Sequence, residues 1–75
     1  MRLEQLNCLI EISRLRSISR AAETLHISQP ALSAAMKSLE TELGKPLFKR
    51  TNRGISLTAE GERIRHEAEA VLEVI

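Results

Sequence analysis

Near the start of the chain, apolar residues recur three and four apart, with Leu3, Leu6 and Ile10 on one line and Leu9 and Ile12 on the next. That spacing puts them on one face of a 3.6-residue turn and predicts an amphipathic helix over about residues 3–14. Ile18, Ala21, Ala22 and Leu25 follow the i, i+3, i+4, i+7 pattern and predict a short second helix, with Ser17 or Ser19 as its N-cap. The pattern breaks at His26-Ile27-Ser28. Ser28 is a natural N-cap, and Pro30 falls in a first turn, where its missing N–H costs nothing. A third helix therefore runs over about 29–43, with a buried stripe of Leu32, Ala35, Met36, Leu39 and Leu43, and stops at Gly44. Its opposite face carries little: Pro30, Ser33, Ala34, Lys37 and Thr41.

Beyond Pro46, the apolar pairs Leu47, Phe48 and Ile55, Leu57 flank a turn containing Asn52 and Gly54, two residues that tolerate positive φ. This predicts two short strands in a hairpin with a basic tip. Thr58 can cap a last helix, and Glu60 and Glu62 suit the positive end of its dipole. Leu57, Gly61, Ile64, Ala68, Val71 and Ile75 are then spaced 4, 3, 4, 3, 4, as along a coiled-coil seam. The seam is still running at the last residue, which points to dimerisation through this helix, to a longer protein of which the chain is a piece, or to both.

The element order is helix, helix, tight turn, helix, hairpin, helix: a mainly α fold whose second and third helices have the helix-turn-helix pattern. Ala21 and Ala22 are small where two helices cross closely, and Leu25, Ile27 and Leu32 are apolar where the turn must bury. A plain three-helix core has the same spacing, so periodicity alone leaves DNA binding and that simpler role on even terms. Charge tilts the balance. The net charge is +1, yet residues 14–53 hold eight bases (Arg14, Arg16, Arg20, Lys37, Lys45, Lys49, Arg50, Arg53) against three acids (Glu23, Glu40, Glu42). The flanks are acidic, −1 over residues 1–13 and −3 over 54–75, so a near-neutral total conceals a basic face. Lys49, Arg50 and Arg53 beside Thr51 and Asn52 put three cations at the hairpin, where they can reach a phosphate backbone or a minor groove.

Composition removes several other classes. A chain of 75 residues makes one small domain, which buries only about 60% of its unfolded surface, so no deep catalytic cleft is expected. Phe48 is the sole aromatic, and the core must be aliphatic. The single Cys8 excludes an internal disulfide framework, fits a reducing cytosol and reads as a small buried hydrophobe. There is no apolar run of about 18 residues, and the start is polar by its fourth residue, so neither a helical membrane span nor a signal peptide is predicted and the expected location is cytoplasmic. His26 and His66 have no further ligands at metal spacing, the serines form no nucleophile elbow, and no glycine-rich phosphate loop is present. No cofactor, metal or enzymatic activity is expected.

The run SRAAETLHISQPALSAAMKSLETELGKPLFKRTNRGISLTAEGE, Ser19 to Glu62, resembles the amino-terminal domain of LysR-type transcriptional regulators. AAETLHISQPALS, the spaced LE..LG.PLF.R and LT..G carry the resemblance together. It implies a winged helix-turn-helix: a three-helix core, a small β-hairpin wing and a long C-terminal linker helix. The helix-turn-helix would span about 18–37 and the wing about 47–57, within a DNA-binding domain of residues 1–57, followed by a linker and dimerisation helix at 58–75. The resemblance further implies double-stranded DNA as partner, with contacts at Gln29, Pro30, Ser33, Ala34, Arg50 and Arg53. It implies a homodimer through the last helix and a small-molecule effector bound only by a carboxy-terminal domain that this chain lacks. Three positions depart from the family pattern. Ala34 and Ala35 stand where a long polar or basic residue often follows Ser33, Asn7-Cys8-Leu9 where an aromatic is common, and His26 at a turn that is often small.

The expected DNA face is thus Ser28, Gln29, Pro30, Ala31, Ser33, Ala34 and Lys37 on the third helix, with Arg50, Thr51, Asn52 and Arg53 on the wing. Ser19 and Arg20 are expected at phosphate, because helix N-termini and cations both favour it. Gln29 carries the amide that pairs bidentately with adenine, and Ala34 suits a thymine methyl. With so few long side chains, specificity is expected to lean on DNA shape and half-site spacing. Ile64, Ala68, Val71, Leu72 and Ile75 are expected at the dimer seam. The alternative is a winged-helix interaction module without DNA binding, favoured by the bare third helix and the low net charge.

Overall fold

The computed structural model describes residues 1–74, without the Val74 side chain. Its elements are α1 (Leu3–Leu15), α2 (Ile18–Leu25), α3 (Gln29–Leu43), the antiparallel pair β1 (Phe48–Thr51) and β2 (Gly54–Leu57), and α4 (Ala59–Val74). Ser17 settles the choice of cap for α2: its Oγ accepts the Arg20 N–H at 3.2 Å. Ser28 caps α3 in the same way, accepting from Ala31 N–H at 3.2 Å. The first three helices all end in the left-handed region, at Arg16 (φ 57°), His26 (φ 59°) and Gly44 (φ 71°). A side chain in this conformation costs roughly 1–2 kcal/mol. The helix-turn-helix corner is therefore built on a strained histidine, whose N–H turns back to Glu23 O at 3.1 Å.

The core is a single aliphatic cluster. Leu9, Ile12, Leu32, Leu39 and Leu47 are fully buried, with Ala21 and Ala22 at the α1–α2–α3 crossing. Full burial of one such leucine or isoleucine stabilises the fold by about 1.5–3 kcal/mol. Gln5 is the one buried polar residue among those described, and both ends of its amide are satisfied. Its Oε1 accepts from Arg2 N–H (2.8 Å), and its Nε2 donates to Ala35 O (3.3 Å), tying α1 to α3.

The wing pairs Phe48 with Leu57, Lys49 with Ser56, Arg50 with Ile55 and Thr51 with Gly54, leaving Asn52 and Arg53 at the tip. Positive φ falls on Gly54 (113°) and not on Asn52. The Thr51 hydroxyl explains this: it donates to Gly54 O (3.0 Å) and accepts from Arg53 N–H (3.2 Å), holding the tip in an ordinary turn and passing the change of hand to the glycine. Gly54 is also packed against α1. A Cβ on it would lie 2.6 Å from Arg16 O, the same oxygen that accepts the Ile55 N–H at 3.3 Å.

One junction locks the hairpin to α4. Leu47 N–H donates to Glu40 Oε2 (2.7 Å), and Leu47 O accepts from Thr58 N–H (3.0 Å). Thr58 Oγ1 donates to Pro46 O (2.7 Å) and accepts from Gly61 N–H (3.1 Å), so it caps α4 while holding the strand entry. Gly61 is buried so tightly that any Cβ would overlap Leu47 O. The predicted seam divides here. Ile64 and Ala68 are each 2% exposed within this single chain, on the part of α4 that packs against α1. Both side chains are covered within the single chain, and Ile64 belongs to the core cluster. Val71 is 51% exposed and Leu72 half-buried, while Ile75 lies outside the described residues.

Candidate nucleic-acid interface

The cations sort into two groups. Arg14 is bound to Glu11 (2.7 Å), Arg63 to Glu60 and Glu67, and Arg65 to Glu62 and Glu69. These pairs run along the surfaces of α1 and α4. The Arg14 and Arg63 hydrogen bonds hold the Glu11 and Glu60 carboxyls below the usual carboxylate range. The remaining eight of the eleven lysines and arginines form no ion pair among the described residues. They are Arg2, Arg16, Arg20, Lys37, Lys45, Lys49, Arg50 and Arg53, and all but Arg2 fall in the stretch from the end of α1 to the wing tip. Arg14, counted with the basic run in the sequence, belongs electrostatically to the paired group. Its partner sits three residues earlier, a helix-neighbour spacing visible in the sequence.

Gln29, Pro30, Ala31, Ser33, Ala34 and Lys37 are all exposed on α3, around the surface left by the buried Leu32, Met36 and Leu39. A cleft of about 370 Å³ lies between the starts of α2 and α3 and the tip-side half of the wing, and Ser19, Gln29, Ser33 and Arg50 meet around it. A second, shallower cleft of about 240 Å³ puts Arg50 beside Ser33 and Lys37. Pairing with the buried Ile55 turns Arg50 toward α3, while Asn52 and Arg53 stand at the exposed tip. Arg20 is exposed on α2. Ser28 and Thr51 already have local partners, one capping α3 and the other holding the turn.

Two features were outside the expected set. Arg16 borders the first cleft, and its position directly before the Ser17 cap was the available signal. The Ser19 hydroxyl donates to Gln29 Oε1 at 3.0 Å, joining the first turn of α2 to the first residue of α3. The amide expected to read adenine thus has its carbonyl end already engaged. Ala34 faces a different groove, of about 580 Å³, shared with Ile27, Ala31, Arg2 just before α1, and Glu4 in its first turn. Burial, aided by Glu4, pushes the Cys8 thiol up from its ordinary value, the direction that disfavours a reactive thiolate. No cluster of His, Cys, Asp and Glu among the described residues is placed to hold a metal ion.

The model of the bacterial regulatory helix-turn-helix protein, lysR family, matches residues 3–62. The chain belongs to the LysR family. Among its LysR-type relatives, the HTH-type transcriptional regulator BudR of Klebsiella aerogenes is 44% identical over 72 residues, covering 96% of this chain and 50% of BudR. The HTH-type transcriptional regulator CfxR of Cupriavidus necator is 41% identical over 70 residues, covering 93% of this chain and 22% of CfxR. The chain thus spans half or less of these relatives' length. Among solved structures, a complex of the CbnR DNA-binding domain with DNA superposes with a TM-score of 0.90 at 38% identity, covering 99% of this chain and 85% of that one. A complex of the BenM DNA-binding domain with catB site 1 DNA superposes with a TM-score of 0.91 at 34% identity, covering 97% of this chain and 81% of that one. The LysR fold is the winged helix-turn-helix described above. These relatives are regulators rather than enzymes, and they lend nothing to the interaction-module alternative. No described helix is long and apolar enough to cross a membrane.

Proposed function

We propose that this chain is the duplex-DNA-binding domain of a LysR-type transcription regulator and reads specific sequences as a dimer. The observation that carries the proposal is the meeting of Arg16, Lys37, Lys49 and Arg50, none of them in an ion pair among the described residues, around the clefts that Gln29 and Ser33 of α3 border. A B-DNA major groove is about 12 Å wide and admits a helix. Pro30 and Ser33 are short enough to let the start of α3 approach base edges, with Gln29 as its longest reader. Arg50 over α3 and Arg53 at the wing tip neutralise phosphates or enter the flanking minor groove, and Arg20 and Lys37 take the backbone on either side. The similarity to the CbnR and BenM DNA-binding domains, each solved in complex with DNA, supports DNA binding by this chain.

Pairing occurs through the later part of α4, where Val71 is exposed, and gives inverted-repeat half-sites at a spacing set by that helix. DNA shape supplies part of the specificity, since α3 offers few long side chains. In the whole regulator, an effector acts through a carboxy-terminal domain, and the protein works in the cytoplasm, on the chromosome. The test is selection of bound duplexes from a random pool near physiological salt. A motif with dyad symmetry supports sequence-specific binding as a dimer, a motif without symmetry removes the dimer, and no enrichment by a folded sample refutes the proposal.

A further inference from the structure

We infer that Ser19 is a positioning residue that fixes which end of the Gln29 amide faces the DNA, and so restricts what Gln29 reads. The inference rests on the proposed DNA-binding role of α3. Ser19 lies in the first turn of α2, and Gln29 opens α3, ten residues later. The two side chains meet across the helix-turn-helix, with Ser19 Oγ donating to Gln29 Oε1 at 3.0 Å, on the cleft that Arg50 and Ser33 also border. Electrostatics favours the same orientation. Both residues sit at the positive ends of helix dipoles, which draw in the carbonyl oxygen and turn the NH₂ group outward. Among the described residues Nε2 has no partner, so both its N–H groups remain free to donate. The Ser19 bond is exposed in the free domain. On a duplex it becomes shielded from water and correspondingly stronger.

An amide held this way presents donors. It favours acceptors at the major-groove edge, guanine N7 and O6, thymine O4 or, by a single bond, adenine N7, and rejects cytosine, whose group at that edge is itself a donor. The bidentate pair with adenine needs Oε1 turned toward the base and away from Ser19. Ser19 thereby narrows the choice of base without touching one.

The experiment compares wild type, Ser19→Ala, Ser19→Thr and Gln29→Ala in the random-pool selection, followed by competition binding with each base at the affected position. Gln29→Ala identifies that position by flattening it. Ser19→Ala is expected to reduce discrimination against cytosine at the same position by about fivefold, the scale of one neutral hydrogen bond, and to raise the share of adenine. Ser19→Thr keeps the hydroxyl and is expected to restore the wild-type profile. Four results overturn the inference: a wild-type base ratio in Ser19→Ala, a loss of affinity equal for every base, failure of threonine to restore the ratio, or no position that responds to Gln29→Ala. If wild type itself enriches nothing, the DNA-binding proposal has failed, and this inference falls with it.

Discussion

Replacing Gly54 with alanine tests whether the wing is held at a fixed angle by its contact with the α1–α2 turn. Two costs combine at this residue. Its φ of 113° lies beyond the left-handed region that side chains occasionally adopt, and a Cβ would stand 2.6 Å from Arg16 O. Conformational strain of this kind costs about 1–3 kcal/mol. Relieving the overlap moves β2 away from Arg16, which breaks the 3.3 Å bond from Ile55 N–H and begins to uncover Ile55, now 7% exposed. The lost hydrogen bond adds about 0.5–1.5 kcal/mol, and partial exposure of isoleucine roughly another 1 kcal/mol. The sum, about 3–5 kcal/mol, is a large fraction of the total stability of a domain this small. Gly44→Ala is the matched control, because it also has positive φ (71°) but open space around its Cβ. That variant should lose only about 1 kcal/mol. Urea unfolding followed by far-ultraviolet circular dichroism gives both values. If Gly54→Ala falls within about 0.5 kcal/mol of Gly44→Ala, the contact with Arg16 does not hold the wing and the reasoning is wrong.

Three other outcomes are expected. Replacing Arg50 and Arg53 together with alanine should lower the log–log salt slope of DNA binding by about 1.8, so the affinity gap from wild type narrows about tenfold between roughly 50 and 200 mM salt; an unchanged slope in fluorescence-anisotropy titrations removes both from the phosphate contacts. Glu40→Ala leaves the buried Leu47 N–H without its 2.7 Å acceptor and should cost about 1–3 kcal/mol in urea unfolding, with Glu40→Gln recovering part of the loss; equal losses in the two variants would mean that the carboxylate acts by charge alone. Glu11 and Glu60 have carboxyls depressed in the folded state by Arg14 and Arg63, so their stabilisation is present above the unfolded-state value and lost as pH falls through the folded one; the acid-side drop in melting temperature should shrink in the Glu11→Gln, Glu60→Gln double variant, and an identical drop would show that these surface pairs contribute nothing.

The helices and the hairpin were legible because each is written locally. Apolar spacing marks the buried stripes, Ser28 and Pro30 open α3, and Gly44 closes it. What was not legible depends on segments meeting in space. The 4, 3, 4 spacing of α4 is the same whether the stripe packs on a partner or within the chain, and Ile64 and Ala68 are already covered within the chain. Ser17 and Ser19 were equivalent as caps until the fold used the first for α2 and brought the second to Gln29. The exposed face of α3 was legible, because it is the complement of a buried stripe. The engagement of the Gln29 carbonyl was not, since it arises from the approach of two helix starts ten residues apart.

The junction at Leu47, Thr58 and Gly61 has a mechanical consequence. With Thr58 bonded to Pro46 and Leu47, Gly61 against the Leu47 carbonyl, and Ile64 and Ala68 buried, α4 has no hinge where it leaves the wing. The reading head and the first three turns of the shaft are one rigid piece. In a dimer joined farther along that shaft, the distance between two recognition helices is ruled by helix length and not by the slack of a tether. A change of spacing in such a dimer would require whole heads to rotate about a pivot lying beyond Ala68.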